Sequence, residues 1–352
     1  MQKHTIFVFA NLKPSQIKYK ILPLSLSEHV EKVIVLRKKF MEISQDKVVC
    51  HSLPGLMRVR PFYWFLVTFY GMYLIRKYKV TIILNYNIFP HGFNAFFASL
   101  FTRRPVIFAE INEDTICYHK KPLVRPLINA ILSNAAYILV PGSRTENYWR
   151  KNGYSNLVTL HSTVNTKFFT PDNSVKKKYD FLYIGEFDTN KRPDLILEAF
   201  AGLRKEGVPA NLCMIGFGTV LPKLREMIKA DDLGDCVTLI KTNTVLDYLH
   251  QSKIFLMASR SEGLPCALME SMACELIPIV PDVGDIADVV KLKENGILYD
   301  GSLSALQSWM KEIFLHYDEL GLMKTNARNT IIAGHSYETA TSKWDHLLEG
   351  IR

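Results

Sequence analysis

No C-x-x-C pair occurs among the six cysteines (50, 117, 213, 236, 266 and 274) of this 352-residue chain, and their spacing has no rhythm. Neither a disulfide framework nor a cysteine zinc site is expected, and a reducing, cytoplasmic compartment fits. No apolar run reaches the ~20 residues that a membrane-spanning helix needs. The longest, residues 62–75, has 14. No secretory signal is expected, since Met1-Gln2-Lys3-His4 leads straight into a short apolar run that reads as a first strand. No repeat at a fixed short period and no low-complexity segment is present, which sets aside solenoids and disordered arrays.

Acidic residues are scarce in one half only. The net charge is +9, but residues 1–170 carry 23 Lys and Arg against 8 Asp and Glu, a balance of +15. The remainder carries 20 against 26, or −6. A basic N-terminal half suits an anionic partner such as a membrane surface or a lipid diphosphate; solvated lysines are the plainer reading. The basic residues are dispersed and no recognised reader motif occurs, so no nucleic acid is expected. Residues 62–75 are aromatic-rich and flanked by Arg58, Arg60, Arg76, Lys77 and Lys79. That pattern fits a helix lying in a membrane interface and equally a helix packed on a sheet.

Short apolar runs alternate with helical patterns along most of the chain. Strands are expected at 5–10, 32–36, 80–84, 105–108 and 136–140, then at 181–184, 211–215, 237–240, 254–257 and 277–280. Helical periods cover 192–206, 220–230 and 245–251. Such alternation predicts α/β architecture with parallel sheets covered on both faces, here as two doubly wound, Rossmann-like domains. Turn chemistry at Thr170-Pro171-Asp172-Asn173-Ser174 and the lysines at 176–178 place a linker over 165–178. The expected domains are 1–168 and 169–336. Residues 337–352 form an amphipathic helix, with Trp344, Leu347 and Leu348 on one side, that crosses back to the first domain.

The most informative segment runs from Ser259 to Cys274: Ser-Arg-Ser-Glu262-Gly-Leu-Pro-Cys-Ala-Leu-Met-Glu270-Ser-Met-Ala-Cys. It follows a strand, turns at Gly263-Leu264-Pro265 and opens a helix. Pro265 suits the first helical turn. Amides at a strand-to-helix turn, with the helix dipole behind them, attract an anion. Glu262 on the loop and Glu270 in the helix are carboxylates of the kind that hold paired sugar hydroxyls through charge-assisted hydrogen bonds. Taken alone, the pair reads equally as a loop charge and a solvated helix residue.

Seven residues separate the two glutamates, and the segment resembles the E-x7-E signature of the retaining glycosyltransferases of family 4, which have the GT-B fold. The likeness continues through Met272-Ala273-Cys274, 277–280, Asp282-Val283-Gly284 and Asn295-Gly296. It implies that Glu262 holds donor-sugar hydroxyls, that Glu270 holds the ribose, and that the Gly263 and Leu264 amides lie near the donor. The stretch from Tyr183 through Gly185, Lys191 and Arg192 to Phe200 resembles the family's strand–loop–helix at the donor diphosphate, with Lys191 as the phosphate-binding lysine. Glu186 stands where an arginine is usual, and Arg192 is a candidate substitute. Met214-Ile-Gly216-Phe-Gly218 resembles the glycine turn that approaches the nucleotide, although a lone G-x-G is more often a plain turn. Residues 140–143, 152–153 and 161–168 follow the family's run into the linker, with Asn165 in place of an aspartate.

The first 130 residues match poorly. Asn11-Leu12-Lys13-Pro14-Ser15 occupies the place of a glycine-rich loop. Glu110 stands nearest to the position of an acceptor-facing histidine, with His91 a weaker candidate. The resemblance implies a retaining transfer from a nucleotide-sugar, with UDP the family's usual base, in a cleft between the domains. The acceptor is expected to be a glycan or a lipid-linked glycan at the inner face of the cytoplasmic membrane. No cofactor and no metal are expected: no D-x-D triplet occurs, and Lys191, Arg192 and helix-end amides can neutralise a diphosphate. A sugar-nucleotide epimerase of the same architecture and a non-catalytic nucleotide-sugar-binding protein remain open. The first would convert its donor without an acceptor, and the second would bind UDP without turnover.

Overall fold

The computed structural model describes residues 3–10, 12, 17, 19–37, 45–53, 63–111 and 114–351. Its contacts divide the chain into two units, Met1–Thr163 with Tyr337–Arg352, and Val164–Ser336. The boundary falls before the expected linker, so residues 165–178 belong to the second unit. There Asn165 accepts the Lys167 and Phe168 amides, and Asp172 accepts that of Ser174, holding the segment in tight turns.

The first unit contains a seven-stranded parallel sheet of β1 (His4–Phe9), β2 (Val30–Arg37), β3 (Val48–Ser52), β4 (Ile82–Tyr86), β5 (Val106–Ala109), β6 (Ala135–Val140) and β7 (Leu157–Thr159). Their order is β3-β2-β1-β4-β5-β6-β7. All of β1 is buried, since helices cover both faces of a doubly wound sheet. Ile6 and Val8 face one layer, where Trp344, Leu347 and Leu348 of the helix Tyr337–Glu349 pack. Phe7 and Phe9 face the other, against Val67, Met72 and Ile75 of Tyr63–Lys77 and Ala95 and Ala98 of Phe93–Thr102.

The second unit holds six parallel strands: β8 (Tyr179–Ile184), β9 (Leu212–Ile215), β10 (Val237–Ile240), β11 (Ser252–Leu256), β12 (Ile277–Pro281) and β13 (Ile297–Tyr299). Their order is β10-β9-β8-β11-β12-β13. The α/β, doubly wound architecture thus agrees with the sequence, but five strands per sheet was too few. The three that periodicity misses are β3, β7 and β13, all edge strands of three to five residues. An edge strand buries less of itself, and so carries a weaker apolar run.

In each sheet the order reverses once, between β1 and β4 and between β8 and β11. Helices wind away in opposite directions from such a reversal, leaving a crevice at the carboxyl ends of the two strands.

Gly71, on the inner side of Tyr63–Lys77, lies against Phe9, whose ring carbons would stand 2.6 Å from an added Cβ. Alanine in place of glycine favours a helix by about 1 kcal/mol. Overpacking costs about 1–3 kcal/mol, and the buried Phe9 ring has no space to retreat into. Gly71→Ala should therefore lower the thermal midpoint; a raised midpoint would show that the ring moves aside.

Candidate functional site

The reversal between β8 and β11 brings two loops side by side, because the strands pair directly, Phe181 opposite Ile254. The loop after β8 runs from Gly185 to Arg192, where the helix Pro193–Lys205 begins with proline in its first turn. Asp188 shapes it, accepting the Lys191 amide on its side chain (2.8 Å) and the Arg192 amide on its carbonyl (3.2 Å). The loop after β11 carries Ser259 to Pro265 into the helix Cys266–Ala273.

Three bonds lace these loops together. The Arg260 amide donates to the Asn190 carbonyl at 2.8 Å. The Asn190 side-chain amide donates to the Ser261 carbonyl at 3.0 Å. Lys191 Nζ donates to Glu262 Oε1 as an ion pair of two largely buried side chains, 28% and 11% exposed. Two residues that the sequence nominated separately, 71 positions apart, are thus partners.

Glu270 is buried in the second turn of its helix. Arg328 fixes the other end of that helix, donating through Nη1 to the Ala273 carbonyl and, at 3.2 Å, to that of Phe169. Pro265 is the N-cap, with an extended backbone, rather than a residue of the first helical turn. A proline ring still suits that place, since no amide is needed there. Among the described residues the Gly263 and Leu264 amides donate to no protein acceptor. Leu264 is buried.

Gly185 bonds through its amide to the Ile215 carbonyl at 3.0 Å, and Gly216 to that of Ile240 at 2.9 Å. A Cβ on Gly216 would stand 2.0 Å from the Gly185 carbonyl oxygen, so these two turns touch backbone to backbone. Glu186 is exposed, and its carbonyl accepts the Tyr183 hydroxyl at 2.9 Å. Burial raises the pKa of that phenol above the usual tyrosine value, and the nearby Asp188, Glu262 and Glu186 carboxylates add to the rise. Lys191 is the cation that offsets this acidic group.

Arg192 does not join Lys191. It takes a left-handed backbone (φ 50°), and its Nη1 donates to the Gly301 carbonyl at 3.1 Å. Its side chain lines a cavity of about 230 Å³ with Thr189, Lys223 and Arg260, and Lys191 is not part of that lining.

Two residues that the sequence placed in matching segments, without a role of their own, gain one here. Gly284 has φ +57°, and a Cβ there would lie 1.9 Å from the Glu262 carbonyl oxygen. It therefore sets where the Glu262 loop rests. Ser259 Oγ is buried beside the same loop and has no hydrogen-bond partner among the described residues. The signal for Gly284 was its place after the apolar run of β12, where a glycine marks a close backbone approach.

In the first unit, Glu110 follows β5 and is buried, accepting the Trp149 indole N–H at 2.7 Å. The cavity beside it, lined by Lys20, Tyr86 and His161 among others, has about 20 Å³, room for one water. His91 lies in the loop after β4, at this sheet's reversal, and burial pushes its pKa down to about 4. Its ring is therefore neutral near pH 7. Asn11 and residues 13–15, the first-loop candidates, lie outside the described residues.

Residues 164–329, nearly all of the second unit, match the family described as glycosyl transferases group 1. An uncharacterised glycosyltransferase of Haemophilus influenzae is 27% identical over 207 residues, 57% of this chain and 57% of that protein. The N-acetylgalactosamine-N,N'-diacetylbacillosaminyl-diphospho-undecaprenol 4-alpha-N-acetylgalactosaminyltransferase of Campylobacter jejuni is 30% identical over 112 residues, 32% of this chain and 30% of its own length. Anabaena HepE, solved in complex with UDP and glucose, superposes with a TM-score of 0.82 at 11% identity, over 99% of this chain and 100% of that one. The fold is GT-B. The likeness to the glycosyl transferases group 1 family lies in the second unit.

Gly284→Ala should strain the backbone and push the Glu262 loop outward, at a cost of about 1–3 kcal/mol. Hydrogen exchange should quicken at residues 259–264 while β9 and β10 keep their protection. Unchanged exchange in that loop would mean that it does not rest on Gly284.

Proposed function

We propose that the protein is a retaining glycosyltransferase that uses a UDP-sugar donor and needs no metal. The observation that carries this reading is the Lys191–Glu262 pair across the β8/β11 reversal, inside the segment that matches the group 1 family. The crevice at such a reversal is where open α/β sheets take their ligands. Lys191 would meet the donor diphosphate, together with the open amides of Gly263 and Leu264 at a helix N-terminus. Glu262, released from Lys191, would accept hydrogen bonds from donor-sugar hydroxyls, and Glu270 would hold the ribose. Gly185 and Gly216 would let the backbone approach the nucleotide. HepE, whose structure contains UDP and glucose, supports the choice of base.

In the proposed reaction the bond from sugar C1 to the diphosphate oxygen breaks first, and Lys191 stabilises the charge that develops on the leaving group. The acceptor oxygen then bonds to C1 on the same face, and its proton passes to the departed phosphate. No strong protein base is required, which leaves Glu110 a positioning role at most. Arg192, engaged with Gly301, is not assigned to the diphosphate. The acceptor is proposed to be a glycan or a lipid-linked glycan bound by the first unit, and the Campylobacter relative, named for a diphospho-undecaprenol-linked substrate, supports the lipid-linked form.

A panel of UDP-, GDP- and ADP-sugars tested for protection against thermal unfolding checks the donor. A ligand at ~100 times its dissociation constant adds about 2.7 kcal/mol, enough for a visible shift. UDP compounds should protect the wild type and fail to protect Glu270→Ala. Glu262→Ala should keep much of the UDP protection and lose turnover by about 10²-fold or more. Conversion of the donor without any acceptor would point to an epimerase instead. No protection by any nucleotide would overturn the donor reading.

A further inference from the structure

Between Asp46 and Glu110 the sequence contains no acidic residue. The structure shows where this stretch of one sign is displayed. The helix Tyr63–Lys77 buries Val67, Met72, Leu74 and Ile75 against the sheet, and turns Phe65, Phe69 and Tyr73 outward. Those three follow the i, i+4, i+8 spacing of one helix face. Phe65 and Phe69 are each 63% exposed and Tyr73 is 53% exposed.

The helix Phe93–Thr102 packs beside it, with Thr68 Oγ1 donating to Asn94 Oδ1 at 3.2 Å. Its outer face presents Leu100 and Phe101, 53% and 66% exposed. Single exposed apolar residues are ordinary, but five large ones on two packed helices form a patch that calls for a partner.

A rim of cations borders the patch. Arg76, Lys77 and Lys79 close the first helix just before β4, and Arg103 and Arg104 close the second just before β5. Because β4 and β5 are parallel neighbours with Ile83 opposite Val106, both basic ends lie at the same edge of the sheet. Among the described residues none of the five is paired with a carboxylate. Lys77 Nζ instead lies 5.9 Å from the centre of the Tyr73 ring.

We infer that this face docks on an anionic lipid bilayer, with the aromatic side chains entering the interface and the five cations meeting lipid phosphates. The chemistry selects a bilayer over a protein. Aromatic rings beside unpaired Lys and Arg, with no acid interspersed, match an apolar layer that ends in a continuous sheet of phosphate. No helix among the described residues is long and apolar enough to cross a membrane, so the contact would be peripheral. The inference deepens the proposal of a lipid-linked acceptor and rests on it for its purpose, while its test reads lipid binding alone.

The full chain would be sedimented with vesicles of neutral phosphatidylcholine, and with vesicles containing 3 parts in 10, roughly, of phosphatidylglycerol. It should pellet with the anionic vesicles at low salt and be released as salt rises. Each of Phe69→Ser and Phe101→Ser should weaken binding about tenfold, and Arg103→Gln with Arg104→Gln about fivefold per charge. All of these residues are exposed, so the variants should fold, and retained protection by UDP would confirm that the donor site is intact. No pelleting at low salt, or pelleting indifferent to the two phenylalanines, would overturn the inference. So would a Phe69-dependent dimer that ignores vesicles, since the face would then bind protein. Lipid binding without UDP binding would uphold the face and sink the donor reading.

Discussion

The reversal of strand order between β8 and β11 is the constraint on which the rest of the second unit depends. Parallel strands joined by right-handed crossovers wind their helices to one side or the other, and only at a reversal do two loops meet with no helix between them. Here the loops are stitched by the main chain as well as by side chains. The Arg260 amide donates to the Asn190 carbonyl and the Asn190 side-chain amide to that of Ser261, so the spacing of Lys191 and Glu262 does not rely on the ion pair alone. A site built in this way holds its geometry when the pair is broken, which a ligand that takes both partners requires.

The pair itself resolves an electrostatic conflict. Burial raises the Tyr183 pKa, and the Asp188, Glu262 and Glu186 carboxylates at that end of the sheet add to the rise. Without a cation, that end would repel a diphosphate and hold Glu262 at a cost. Lys191 balances the cluster in the resting state. In the proposed function the same ammonium turns to the diphosphate while Glu262 turns to sugar hydroxyls. The exchange trades one charge-assisted contact for two, so little of the binding energy is lost in opening the pair.

The central strands were legible because a doubly covered sheet writes each strand as a continuous apolar run. β1 and β8 are read from Phe7, Val8, Phe181 and Leu182 with little error in their bounds. β3 was invisible because His51 and Ser52 sit on an edge that needs no apolar face. Glu262 and Glu270 were singled out by their spacing within the family's signature, and Lys191 by the pattern around it. The contacts that Gly284 and Arg328 make were not legible. Each acts through a backbone carbonyl of a distant segment, and a main-chain contact leaves no mark on the identity of its partner. Next to Lys191 in sequence, Arg192 itself takes a left-handed backbone and bonds to the Gly301 carbonyl, which one-dimensional spacing cannot show. Glu110 was located correctly at the end of β5, but its indole partner came from a helix 39 residues away.

Residues 62–75 carried two incompatible-looking readings, a helix in a membrane interface and a helix on a sheet. Composition cannot separate them, since Phe, Tyr, Leu and Ile serve both environments. Period can. Positions 67, 71, 74 and 75 share the side that meets Phe7 and Phe9, while 65, 69 and 73 share the opposite side. A helix with aliphatic residues on one side and aromatic residues on the other has one face more than its own domain can cover. The inner face is fixed by the sheet, where even Gly71 is needed to fit Phe9, so the helix cannot rotate to hide the outer one. The surplus is therefore a property of the folded unit and not of a loose segment, and its basic rim is held in register by β4 and β5.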